Sequence, residues 1–143
     1  MNKIKIKNLQ RKKVSLRNLK KLANKTLAHQ GVDEKEISIL LVDDKTIKDF
    51  NKQYLKKNYP TDVLAFRMQD GEFSHLHPEI LGDVIISLDT AAFRAEEFKT
   101  SFEYESHLYL VHGILHLLGF DDGNPKKRNK MRAIQEEILE NYA

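Results

Sequence analysis

The sequence predicts a single domain of mixed α and β character, residues 1–143, with four strands, five helices and one helix buried at its centre. Three observations carry that reading. Short apolar runs suited to strands alternate with longer segments whose apolar residues recur every three or four positions. Most of the helical segments carry their own start or stop residue. One helix, ending near residue 118, is apolar nearly all round, which places it inside a core rather than on a surface.

Taken in order, Lys3 to Lys7 alternates Ile4 and Ile6 with lysines, the pattern of a strand with one buried face. Ser15 is placed to cap a helix bearing Leu16, Leu19, Ala23 and Leu27, and Gly31 supplies its stop. Glu36 to Val42 is a second strand, with Ile37, Ile39 and Leu41 on one face and Leu40 and Val42 on the other. Asp43 or Asp44 opens a helix whose stripe is Ile47, Phe50, Asn51 and Tyr54. Pro60 breaks the chain before a short strand, Val63 to Phe66. Residues 67–80, with Gly71, His75, His77 and Pro78, read as a loop or loose hairpin. Leu81 to Leu88 is the strongest strand signal, and its apolar run predicts a covered position in the sheet. A helix from Asp89 to about Lys99 follows, and Thr100 with Glu103 forms a capping box for the central helix. Asn124 followed by Pro125 marks the start of the last helix.

Composition removes several chemistries. With no cysteine there is no disulfide framework, thiol nucleophile or Cys-based zinc site. No apolar stretch approaches the roughly 20 residues needed to span a bilayer, and no apolar segment follows the N-terminal lysines, so neither membrane insertion nor a signal peptide is expected. A cytoplasmic location is the expectation. The net charge of +3 hides an asymmetry: residues 1–32 hold ten Lys or Arg and no acid, and Lys126 to Arg132 adds five more. Local basic clusters of this kind suit phosphate backbones, although lysine-rich solvated faces look similar.

The central helix carries the chemistry. His112 and His116 stand one turn apart on one side of it, so both imidazoles reach a single point. An imidazole in a hydrophobic helix is costly without a partner, and one metal ion would satisfy both. Gly119, three residues after His116, permits a turn that returns Asp122 to the same point. Asp121 is the competing third ligand. Two nitrogens and one oxygen, with room for water, make the donor set of a catalytic metal site. The glycine at offset seven and the carboxylate at offset ten are also the spacings of the extended metzincin zinc motif. That motif needs glutamate directly after its first histidine as general base, and here the position is Gly113, which argues against a peptidase. The same glycine is expected to leave space beside the metal. Of the other histidines, His75 and His77 fall in a loop that could approach the metal, His107 is second shell or surface, and His29 sits near a helix end.

With these residues in hand, the chain resembles the YbeY family of bacterial endoribonucleases, ribosomal RNA maturation factors. The resemblance runs from about Ile37 to the C-terminus. It rests on His112 to Asp121 against the family's His-Gly-x-Leu-His-Leu-x-Gly-(Tyr/Phe)-Asp-His, Thr61 to Phe66 against Thr-Asp-Val-Leu-Ser-Phe, Leu81 to Val84 against Leu-Gly-Asp-Ile, and Asn51 with Tyr54. It implies an α+β fold with a small mixed four-stranded sheet packed with about five helices, the buried central one carrying the metal-binding histidines. It further implies single-strand-directed cleavage of ribosomal RNA, in maturation and quality control of the ribosome, with ribosomal RNA and a ribosomal subunit as partners and one zinc ion per chain.

Two departures from the family stand out. Its third ligand is usually histidine, where this chain has Asp122; an aspartate oxygen can complete a zinc site, though two histidines and a carboxylate also suit iron. The family usually places arginine after the tyrosine, where this chain has Leu55. Lys56, Lys57 and Arg67 are the candidate replacements for contact with the substrate phosphate. Asp62 and Asp83 are the carboxylates to consider as general base, against capping or turn roles. A ribosome- or RNA-binding factor with a purely structural metal is the alternative from another class, and a metal hydrolase of a different substrate is a third.

Overall fold

In the computed structural model, residues 1–71 and 74–142 are described. The strands are β1 (Lys3–Asn8), β2 (Glu36–Val42), β3 (Val63–Arg67) and β4 (Ile80–Ser87). The helices are α1 (Leu16–His29), α2 (Asp44–Leu55), α3 (Leu88–Phe98), α4 (Phe102–Leu117) and α5 (Pro125–Tyr142). Two short 3-10 turns, Met68–Asp70 and Ser74–Leu76, lie in the segment read as a loop between β3 and β4.

The sheet has the order β1-β2-β4-β3, with β1, β2 and β4 parallel and β3 antiparallel to β4. The mixed four-stranded sheet with five helices is therefore present among the described residues, and the apolar run of β4 occupies a central position. Side chains alternate as a pleated strand requires. Ile4, Ile37, Ile39, Leu41, Val84 and Ile86 join a large core with residues of α1, α4 and α5. Val42, Leu64 and Ile85 point the other way and form a smaller core with Ile47 of α2. In α4, Leu110, Val111, Ile114 and Leu115 are all fully buried, each worth roughly 1.5–3 kcal/mol of transfer free energy. This helix runs through the centre of the molecule, as its all-round apolarity dictates.

Capping chemistry sets the element ends. The side chains of Ser15, Asp43 and Asn124 accept from Asn18, Thr46 and Lys127 backbone N–H groups at 3.1, 2.8 and 2.9 Å. Two boundaries differ from the sequence reading. The cap of α4 is Ser101, whose Oγ accepts from Tyr104 N–H at 2.9 Å, while Thr100 hydrogen-bonds the buried Glu105 instead of forming a box with Glu103. Likewise α3 begins at Leu88 because Ser87 caps it, its Oγ accepting from Thr90 N–H at 3.2 Å.

Candidate metal centre

The site forms where α4 ends. The helix stops in a Schellman turn: Phe120 N–H reaches Leu115 C=O at 3.0 Å and Gly119 N–H reaches His116 C=O at 3.0 Å. Gly119 takes φ +100°, a conformation that side chains rarely adopt. Phe120 then packs on the core, which fixes the return of the chain and with it Asp122.

Ligand atoms of His112, His116 and Asp122 all lie within 4.8 Å of one another. The two Nε2 atoms are 2.9 Å apart, and His112 Nε2 is 3.7 Å from Asp122 Oδ2. Those separations bracket the value of about 3.3 Å that tetrahedral geometry requires for zinc bonds of 2.0–2.1 Å. Among the described residues this is the one such group. Asp121 is turned to other work: its Oδ1 accepts from Gly123 N–H at 3.1 Å and its Oδ2 meets Lys127 Nζ at 3.2 Å. Those hydrogen bonds, the backbone one foremost, hold its carboxyl below the usual range.

The imidazole of His112 is oriented from behind. The buried Gln135 of α5 accepts a hydrogen bond from His112 Nδ1–H through its side-chain oxygen, which leaves Nε2 as the free lone pair facing the centre. The sequence reading missed Gln135, since no local signal links it to a histidine 23 residues away. Burial, with His112 as a second cause, pushes the His116 pKa down, so the ring is held in the neutral form that a metal ligand requires.

His116 opens onto a groove of about 330 Å³, also lined by Leu55, Val63, Ala65, Arg67, Asp70 and Phe120. Among the described lining residues Arg67 is the one cation. Its Nη2 donates to Gln69 Oε1 at 3.0 Å, its Nη1 lies 3.9 Å from Asp70, and its Nε is buried without a hydrogen-bond partner. Leu55 and Arg67 thus share one groove. Lys56 and Lys57 do not line it; they form the exposed exit from α2, where Lys56 takes a left-handed cap conformation. The basic cluster at the start of α5 borders it, with Lys127 on Asp121 and Lys130 over the ring of Phe120 at 5.9 Å.

Gly113 does not open space beside the centre, contrary to expectation. A Cβ there would stand 2.5 Å from Val84 Cγ1 and 3.1 Å from Val63 Cγ2, so the glycine lets α4 lie close on the sheet. Asp62 is a turn residue, its Oδ1 accepting from Val63 N–H at 2.7 Å. Asp83 lies on the sheet face away from α4, in a separate groove with Leu40, Phe50, Tyr54, Phe66 and Ile85. Neither lines the His116 groove. His75 and His77 line a different cavity with Lys35 and Leu117, and His29 pairs with Glu137 at 3.4 Å. His107 is buried in a cleft with Asn18, Lys21 and Glu103.

Two imidazoles, one of them held by the buried Gln135, and a carboxylate beside a groove with an arginine have the donor chemistry of a metal-dependent hydrolase. Comparison with known proteins narrows that class. A family model described as Endoribonuclease YbeY matches residues 4–143, which extends the similarity across β1 and α1 as well. Proteins named Endoribonuclease YbeY from Syntrophotalea carbinolica (43% identical, 97% of this chain and 95% of that protein) and Persephonella marina (42%, 99% and 93%) align over nearly their whole lengths. The solution structure of TM1509 from Thermotoga maritima superposes with a TM-score of 0.67 at 25% identity, covering 99% of this chain and 89% of that one. The chain belongs to the Endoribonuclease YbeY family.

Proposed function

We propose that the domain, residues 1–143, is a zinc-dependent endoribonuclease that cleaves single-stranded segments of ribosomal RNA during ribosome maturation, acting in the cytoplasm on RNA within a ribosomal subunit. The observation that carries this reading is the convergence of His112, His116 and Asp122 beside a groove holding Arg67, in a chain of the endoribonuclease family. In this reading His112, His116 and Asp122 would hold one zinc ion, which would supply Lewis-acid polarisation of the phosphoryl group and activation of a water or of the ribose 2′-OH. The remaining work falls to the chain itself. Gln135 fixes the His112 tautomer. Arg67 contacts the substrate phosphate in place of the family arginine lost at Leu55, with Lys56 and Lys57 as weaker contacts outside the groove. Lys127 and Lys130 at the rim attract the backbone on either side.

The test is cleavage of a ribosomal RNA fragment with single-stranded and duplex segments, by metal-analysed protein and by His116→Ala. Cuts confined to single strands, and lost in the variant, support the reading. Bound metal without cutting, even on intact subunits, would instead mark a binding factor with a structural ion.

A further inference from the structure

The second face of the sheet holds a feature that the cleavage chemistry does not use. On it, Asp83, Phe66, Leu40 and Ile85 form a groove of about 370 Å³ with Phe50 and Tyr54 of α2. That volume lies within the roughly 300–1,000 Å³ typical of small-ligand sites. Its aromatic wall is continuous: Phe50 stacks on Tyr54 with centroids 6.0 Å apart, and Tyr54 meets Phe66 edge-on at 5.5 Å. Tyr54 is 56% exposed, so much of its side chain is open to a partner. Asp83 is open to solvent, and its carboxylate has no hydrogen bond or ion pair within the described residues. The apolar wall still pushes its pKa up by desolvation. An unpaired acceptor between aromatic walls is matched by a flat ligand with N–H donors on its edge.

A cationic edge adjoins the groove. Lys3, Lys5 and Lys7 of β1 alternate with the buried Ile4 and the half-buried Ile6, so all three stand on this same face. Lys7 is the register partner of Leu40, which in turn partners Ile85, while Lys5 lies in the row Ser38–Asp83–Phe66. Glu36 takes up Lys3 and Lys5 at 3.8 and 3.5 Å, and Lys7 stands beside the groove with no carboxylate partner among the described residues. On the other side, β3 separates this groove from the His116 groove: Phe66 faces one, while Ala65 and Arg67 face the other.

We propose that this groove binds a guanine base of the same RNA strand that the metal centre cleaves, with the strand crossing the β3 edge and its backbone drawn to Lys7. The proposal rests on the ribonuclease reading for its ligand but not for its site. Tyr54 and Phe66 supply stacking surfaces, which bind any base. Asp83 supplies the choice. A carboxylate accepts the adjacent N1–H and N2–H donors of guanine together, whereas uracil and cytosine each offer it a single donor position. Adenine, like them, offers one donor beside an acceptor.

The experiment is binding of fluorescent ten-nucleotide uridine RNAs carrying one central G, A, C or U, measured by anisotropy on the full chain with a chelator present. The chelator stops cleavage, so failure here and failure of the ribonuclease reading are separate results. The G-containing RNA should bind about tenfold tighter than all-uridine. Asp83→Asn replaces one of the two acceptors with a donor, a pattern that an edge of every base can match, so the preference for G should be lost. Tyr54→Ala should weaken every base-containing strand by about fivefold or more. Lys7→Ala should weaken all four RNAs equally and lower the salt dependence. Equal affinity for the four RNAs, or a G preference that survives Asp83→Asn in a folded protein, overturns the proposal. Tight binding of a protein partner on this face with no RNA effect of the Tyr54 variant would overturn it too.

Discussion

Replacing Gly113 by alanine asks whether α4 is held to the sheet as described. In an exposed helix interior this change would stabilise by about 1 kcal/mol through propensity. Here the new Cβ would lie 2.5 Å from Val84 Cγ1 and 3.1 Å from Val63 Cγ2, both on branched side chains. Val84 is fully buried on a central strand and has no room to withdraw. Overpacking of this severity costs about 1–3 kcal/mol, and the close contact with Val84 puts it at the upper end. After the propensity gain the net loss is about 1–2 kcal/mol, or a fall in Tm of about 3–6 °C for a chain of this size. Thermal unfolding of Gly113→Ala, Val84→Ala and the double variant measures it. Val84→Ala removes both γ-methyls, so the double variant should be more stable than the two losses added, by about 1 kcal/mol. A Gly113→Ala protein that melts higher than the parent, as propensity alone dictates, would refute the packing described for α4.

Three further outcomes follow from the site and the caps. Gln135→Leu keeps the bulk but removes the acceptor for His112 Nδ1–H, and zinc affinity measured by chelator competition should fall about 10–100-fold. Arg67→Ala should lower the cleavage rate far more than Lys56→Ala or Lys57→Ala, and adding Leu55→Arg should restore part of it; equal effects of the three would dismiss Arg67 as the phosphate contact. Asp43→Ala should cost about 1 kcal/mol at pH 7 in denaturant unfolding. Hydrogen bonds from Thr46 hold the Asp43 carboxyl below its ordinary value near 3.8, so its contribution is present above that pH and lost as pH falls through the lowered value. The penalty of Asp43→Ala should therefore shrink only in that acid range.

What the sequence disclosed was whatever short-range chemistry determines. The alternation of Ile4 and Ile6 with lysines, the caps at Ser15 and Asn124 and the Gly119 turn all depend on residues within a few positions of each other. The triad of His112, His116 and Asp122 was legible for the same reason: one helical turn and one Schellman turn suffice to bring it together. Long-range choices were not. The orientation of Gly113 was hidden because α4 is apolar all round and no polar stripe marks which face meets the sheet. Gln135 reaches His112 only through the packing of α5 on α4. Arg67 was separable from Lys56 and Lys57 only once β3 had placed it across the groove from His116, while α2 ended with both lysines outside.

One ion between His112, His116 and Asp122 is the feature on which the proposed chemistry depends. Anomalous diffraction at the zinc edge, on crystals of protein purified without added metal, tests it most directly. One zinc peak per chain is expected, bonded to His112 Nε2, His116 Nε2 and an Asp122 oxygen. Zinc bound elsewhere, or bound here through Asp121 while Asp122 faces solvent, would contradict it.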